Sequence, residues 1–157
     1  MKFIQDKVNA VGPVNYAAYY HENAVGAGVS DWSAQFGNEA SNMVADAGAC
    51  RISYHWTTRT ENGQIASDLD TGFSLKDVQD IAVMPMEQLH KEVDTVAGHP
   101  SWSCRIDPPV FALKVRITDT AGFKNFDFSD EQLANRVAKA MLHAVELCGG
   151  GNKPEPF

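Results

Sequence analysis

Three cysteines and five histidines are the side chains here with the widest chemical reach, and their spacing decides which chemistry is open to them. Cys104 follows His99 and Cys50 precedes His55 at short range, so either pair could be drawn as a thiol nucleophile with its imidazole base. Neither thiol sits in a local context that lowers its pKa, such as a helix N-terminus. His21, His55, His90, His99 and His143 show no HExxH or other paired spacing, and no CxxC occurs, so no metal and no cofactor is implied. Hydrogen-bonded or surface imidazoles are the expectation, with His143 lining the boundary between the last helix and the sheet. An odd number of cysteines leaves two readings open. One is buried free thiols; the other is a Cys50–Cys148 disulfide joining the start of a strand to the end of the last helix, which would imply an oxidising compartment.

Asp70-Thr71-Gly72 is similar to the tripeptide that carries the catalytic carboxylate of aspartic proteases, where two such loops share one proton. The tripeptide arises by chance in roughly one chain in fifteen of this length. Phe73 follows where that family has a small residue, and a single copy would demand a symmetric homodimer. A turn at a strand edge, using Asp70 and Gly72, is the plainer reading. Neither GxGxxG nor GxxxxGK[ST] occurs, so there is no phosphate-cradling loop. Among the tryptophans, Trp56 falls in phase with a core face, whereas Trp102 lies in His99-Pro100-Ser101-Trp102 between chain breakers. His99 and Trp102 are therefore the candidate binding residues, since exposed aromatics mark interfaces.

The elements that must position these residues follow from periodicity. Ile4, Val8 and Val11 share one face of a short helix over 1–12, stopped by Gly12-Pro13. The strand-rich body spans 13–128. Within it, 14–21 alternates with tyrosines on both faces, 23–30 reads as a loop, and 32–44 reads as a long, imperfect strand after which 46–49 turns the chain. In 50–59, Ile52, Tyr54 and Trp56 oppose Arg51, Ser53, His55 and Thr57, a strand with one dry and one wet face. Asn62-Gly63 then predicts a type I′ hairpin into a return strand over 64–75, with a further strand over 78–84. Met86, Leu89, Val93 and Val96 recur at helical spacing and predict a helix over 86–97. A brief strand over 101–106, the breaker Asp107-Pro108-Pro109 and a hairpin built from 110–118 and 123–128 complete the body. Ser129 and Gln132 form a capping-box pair that starts the helix 129–148, whose stripe runs Leu133, Val137, Ala140, Met141, Ala144 and Cys148. Gly149-Gly150-Gly151 opens a flexible tail over 149–157.

The 157 residues are enough for one domain that buries roughly 70% of its unfolded surface. Thirteen Lys+Arg against twenty Asp+Glu give a net charge of −7, which repels a phosphate backbone, so nucleic acid is not an expected partner. No apolar run is long enough to span a membrane. The chain opens on what reads as the middle of a helix, so an upstream export signal could have been removed; the expected location is periplasmic or secreted in that case and cytoplasmic otherwise.

This order, a helix, about seven strands paired mainly antiparallel and a long C-terminal amphipathic helix, is α+β. From Cys50 to Cys148 it resembles the pleckstrin-homology-like superfold, a strongly bent, partly open barrel plugged by its C-terminal helix, and more loosely an exported bacterial family of uncharacterised type. Lipid-binding members of that superfold carry a basic cluster on the first hairpin. Here Arg59-Thr60-Glu61-Asn62-Gly63-Gln64 offers one arginine and one glutamate, so the resemblance does not extend to phosphoinositides. The leading expectation is a non-enzymatic binding or protein-interaction module that contacts a protein, peptide or small apolar ligand through a sheet edge or the His99–Trp102 loop. The alternative is a small hydrolase using Asp70 or a cysteine thiol.

Overall fold

The computed structural model describes residues 1–24, 28–118 and 122–151. In chain order its elements are α1 (Lys2–Val11), β1 (Val14–Ala24), β2 (Gly28–Asp46), β3 (Arg51–Thr60), β4 (Ile65–Ser74), β5 (Val78–Pro85), α2 (Met86–Val96), β6 (Trp102–Asp107), β7 (Phe111–Ile117), β8 (Phe123–Phe128) and α3 (Glu131–Leu147). Among the described residues the architecture is α+β, with eight strands in two antiparallel sheets. One sheet has the order β4-β3-β2-β1-β6 and the other β5-β7-β8. The single, strongly bent sheet of about seven strands is thereby corrected: neither sheet closes into a barrel. The split follows from β6, which pairs with the free edge of β1 rather than with its sequence neighbours. Pro108 and Pro109 then interrupt the ladder before β7, because proline has no N–H to donate.

Alternation gathers most large apolar side chains of β1, β2 and β3 on one face of the five-stranded sheet, with Tyr19 on the other. Tyr16 stands opposite Phe36 and Tyr20 opposite Trp32 across β1–β2, while Ile52 faces Phe73 across β3–β4. Two apolar clusters fill the space behind this face. The larger gathers Ile52, Tyr54 and Phe73 with Leu113, Phe126 and the buried stripe of α3. Fully burying one ring such as Phe126 contributes about 2–3 kcal/mol. The smaller joins Tyr16, Ala18 and Ile106 to Met86 and Leu89 of α2. α3 lies with its apolar side across the three-stranded sheet, and α2 bridges β6 to the other face of that sheet.

Several local expectations are refined. The strands β1 and β2 consume most of the stretch read as a loop over 23–30, of which residues 25–27 lie outside the described ones. In β2 a bulge falls between Ser41 and Val44, with Asn42 at φ 52°. It is completed by Asn9 of α1, whose side chain accepts from Met43 N at 2.7 Å and donates to Met43 O at 3.0 Å. The Asn62-Gly63 hairpin forms, but only Gly63 has positive φ, so the turn is a three-residue loop with a bulge rather than type I′. The cap of α3 is Asp130, not Ser129: Asp130 Oδ1 accepts from Gln132 N at 2.8 Å and Leu133 N at 3.2 Å. A carboxylate one position nearer the helix out-competes the hydroxyl by adding charge to the same bond.

Gly149–Gly151 do not dangle. Gly150 N donates to Val145 O and Gly151 N to Val78 O, both at 2.9 Å, and a Cβ at Gly150 would meet Leu75 O at 2.1 Å. The remainder of the expected tail, 152–157, lies outside the described residues, as do residues 119–121 between β7 and β8. Cys50 and Cys148 form a disulfide across a sequence separation of 98, which by loop-closure entropy stabilises the fold by about 4–5 kcal/mol. Among the described residues, no helix is long and apolar enough to cross a membrane.

Candidate functional site

Side chains of β1, β2 and β6 meet α2 over the smaller apolar cluster, and the meeting is built almost wholly from rings. Tyr16 stacks on Phe36 with centroids 5.3 Å apart, and Tyr20 lies nearly parallel to Trp32 at 5.2 Å. Trp102 meets Trp32 edge-on at 4.8 Å, and His99 stacks on Trp102 at 3.9 Å. The period of two supplies this arrangement, since residues 16 and 20 of β1, 32 and 36 of β2 and 102 of β6 all share one face.

From α2, His90 enters between the two tyrosines. Its Nδ1 lies 2.6 Å from the Tyr20 hydroxyl and its Nε2 3.5 Å from that of Tyr16. Burial pushes the His90 pKa below its ordinary value, against the pull of Asp94 and Glu87. Burial, aided by Asp94 and Cys104, pushes Tyr20 up to about 12, and burial followed by Asp127 raises Tyr16 as well. All three groups are therefore neutral near neutral pH. Whichever imidazole nitrogen carries the hydrogen donates to its tyrosine, and the other accepts.

A second polar group lies deeper. Asp127 of β8 is buried and receives hydrogen bonds from Asn38 Nδ2 and Asn125 Nδ2, each at 2.7 Å. Burial raises its pKa and the two amides pull it back down. Asn38 Oδ1 is buried without a hydrogen-bond partner among the described residues, as is Nε1 of Trp102. Tyr16, Tyr20, His90, Asp94, Phe123 and Asn125 border a cavity of about 260 Å³. Val93 and Phe123 also line an adjoining groove of about 740 Å³, together with Lys91, Val96, Lys114 and Arg116.

Of the residues singled out from sequence, His99 and Trp102 come together at the rim of this cleft. Trp102 is half-buried rather than exposed, because Tyr20 and Trp32 cover its ring and Lys91 holds the loop through Pro100 O at 2.5 Å and Trp102 O at 2.7 Å. Asp70 lies elsewhere, on the outer face of the five-stranded sheet. It sits within β4 and not at a turn, pairs with His55 across the ladder, and its side chain is 94% exposed. Gly72 is explained by close approach: a Cβ there would meet Ile52 O at 2.4 Å. Cys50 is held in the disulfide, and burial followed by Asp94 pushes the Cys104 thiol up to about 11. His143 is exposed and 3.7 Å from Glu146, not at the helix–sheet boundary, because it falls outside the stripe of α3. Among the described residues, no group of three or more His, Cys, Asp or Glu is placed to hold a metal ion.

Sequence reasoning left out His90, Tyr16, Tyr20 and Asn125. A signal existed in the tyrosines sharing one face of β1, and in His90 lying beside Leu89 on the apolar stripe of α2. Compared with protein-family models, curated proteins and solved structures, the chain finds no match.

Proposed function

We propose that this chain is a non-enzymatic binding module that holds a small apolar molecule beneath α2. The carrying observation is the ring-lined cavity at Tyr16, Tyr20 and His90, which shares Val93 and Phe123 as lining with the larger groove beside it. Apolar walls with a few convergent hydroxyl, imidazole and amide groups are the usual composition of a ligand site. His99 and Trp102 serve as its rim. The hydrolase alternative draws no support from Cys104, whose thiol stays protonated at neutral pH, or from Asp70, which stands apart from the cleft.

The test is titration with N-phenyl-1-naphthylamine, a neutral apolar probe whose fluorescence rises when it leaves water. The expected result is a saturable rise at one probe per chain, weakened about tenfold or more by Val93→Asp. Val93 is 43% exposed, so that variant should melt at the wild-type temperature. A wild-type protein that gives no saturable signal overturns the reading, and so does a Val93→Asp variant with unchanged affinity.

A further inference from the structure

The groove beside the cleft has a charge opposite to that of the whole chain. Its lining carries Lys91, Lys114 and Arg116 against the single carboxylate of Glu92, in a protein of net charge −7. These cations are not equivalent. Lys91 is engaged by the two carbonyls of the His99–Trp102 loop. Lys114 pairs with Glu92 at 2.5 Å and lies 4.8 Å from the centroid of the Phe123 ring. The Arg116 side chain is exposed, with no hydrogen-bond or ion-pair partner among the described residues, although Asp80 stands opposite it in the β5–β7 ladder.

Between these charges the wall is apolar. Val93 and Phe123 form the inner part, and Val96, 91% exposed, extends the same surface outward along α2. Val93 and Val96 lie one helical turn apart on α2, so the two exposed valines join into one apolar surface. A volume of about 740 Å³ falls within the range of sites for small molecules.

We infer that the groove takes an alkyl monocarboxylate, its chain lying along Val93, Val96 and Phe123 and its carboxylate on Arg116, with Lys114 adjacent. A planar guanidinium fork matches a carboxylate through two parallel hydrogen bonds. Lys114 lies two residues before Arg116 on β7, so it shares the groove face with Arg116. This ligand class rests on the proposed binding function and narrows it from apolar molecules in general to those with one acidic end.

The experiment displaces bound N-phenyl-1-naphthylamine with dodecanoate and, separately, with dodecanol, which has the same chain and no charge. Dodecanoate should compete about tenfold or more better than dodecanol, an advantage that fades with added salt. Arg116→Gln should remove that advantage while leaving dodecanol and the probe unchanged. Equal competition by acid and alcohol, a preference for the alcohol, or an Arg116→Gln variant that keeps the advantage each overturns the carboxylate assignment. So does failure of both to displace a probe that does bind, and in all these cases the binding module itself survives. If the probe does not bind at all, the parent reading falls and this one with it.

Discussion

His90 and His55 sit on opposite faces of the five-stranded sheet and are driven in opposite directions. His90 is enclosed by Tyr16, Tyr20 and Phe36, and loss of water lowers its pKa. His55 lies on the wet face with Asp70 Oδ1 2.9 Å from Nδ1 and Asp68 Oδ1 2.5 Å from Nε2, and those carboxylates raise its pKa, Asp70 most. One face of the sheet thus favours a neutral, hydrogen-bonding imidazole, and the other favours the protonated form. What separates them is the company each keeps, which alternation along the strands assigns.

The largest test of this contrast is His90→Ala. It removes a ring from a packed cluster and strands the Tyr16 and Tyr20 hydroxyls, so urea unfolding should lose about 2–4 kcal/mol. His55→Ala, on the exposed face, should leave the urea midpoint within replicate scatter; a loss comparable to that of His90→Ala breaks the comparison. Next in size is Trp102→Ala, which should cost about 2 kcal/mol because the half-buried ring supports Trp32 and Tyr20. Its outer-face counterpart, Tyr19→Ala, removes a ring that is 44% exposed, with the Arg105 guanidinium 4.5 Å from its centroid, and should cost about 0.5 kcal/mol or less. A silent Trp102→Ala would return that residue to the surface.

The smallest effect is in the pH dependence, where the two histidines oppose each other. His90 binds a proton less readily folded than unfolded, so its contribution to stability is lost as pH falls below the ordinary imidazole value of 6.5. His55 binds a proton more readily folded, so its stabilising contribution is full below 6.5 and disappears as pH rises through its higher folded value. NMR titration of the imidazole Hε1 signals should place His90 below 6.5 and His55 above it. The same side of 6.5 for both would remove the contrast.

Local signals carried much of this into view. The dry stripe Ile52-Tyr54-Trp56, the turn at Asn62-Gly63 and the stripe of α3 were all readable, because each depends on residues a few positions apart. The division into two sheets was not, because it depends on β6 finding β1 across most of the chain. The cleft is hidden for the same reason. Nothing near His90 in sequence announces Tyr16 or Tyr20, which lie 74 and 70 residues away. His99 and Trp102 were visible as a loop between breakers, but the rings that half-bury Trp102 come from β1 and β2.

The two terminal helices touch: Arg136 of α3 lies 5.5 Å from the ring centroid of Phe3 in α1, and both helices supply the larger apolar cluster. A chain made from its N-terminus on the ribosome therefore cannot finish that interior until α3 has emerged. Until then Ile4, Val8, Ile52 and Phe126 wait half-covered, which is when such a polypeptide most needs a chaperone.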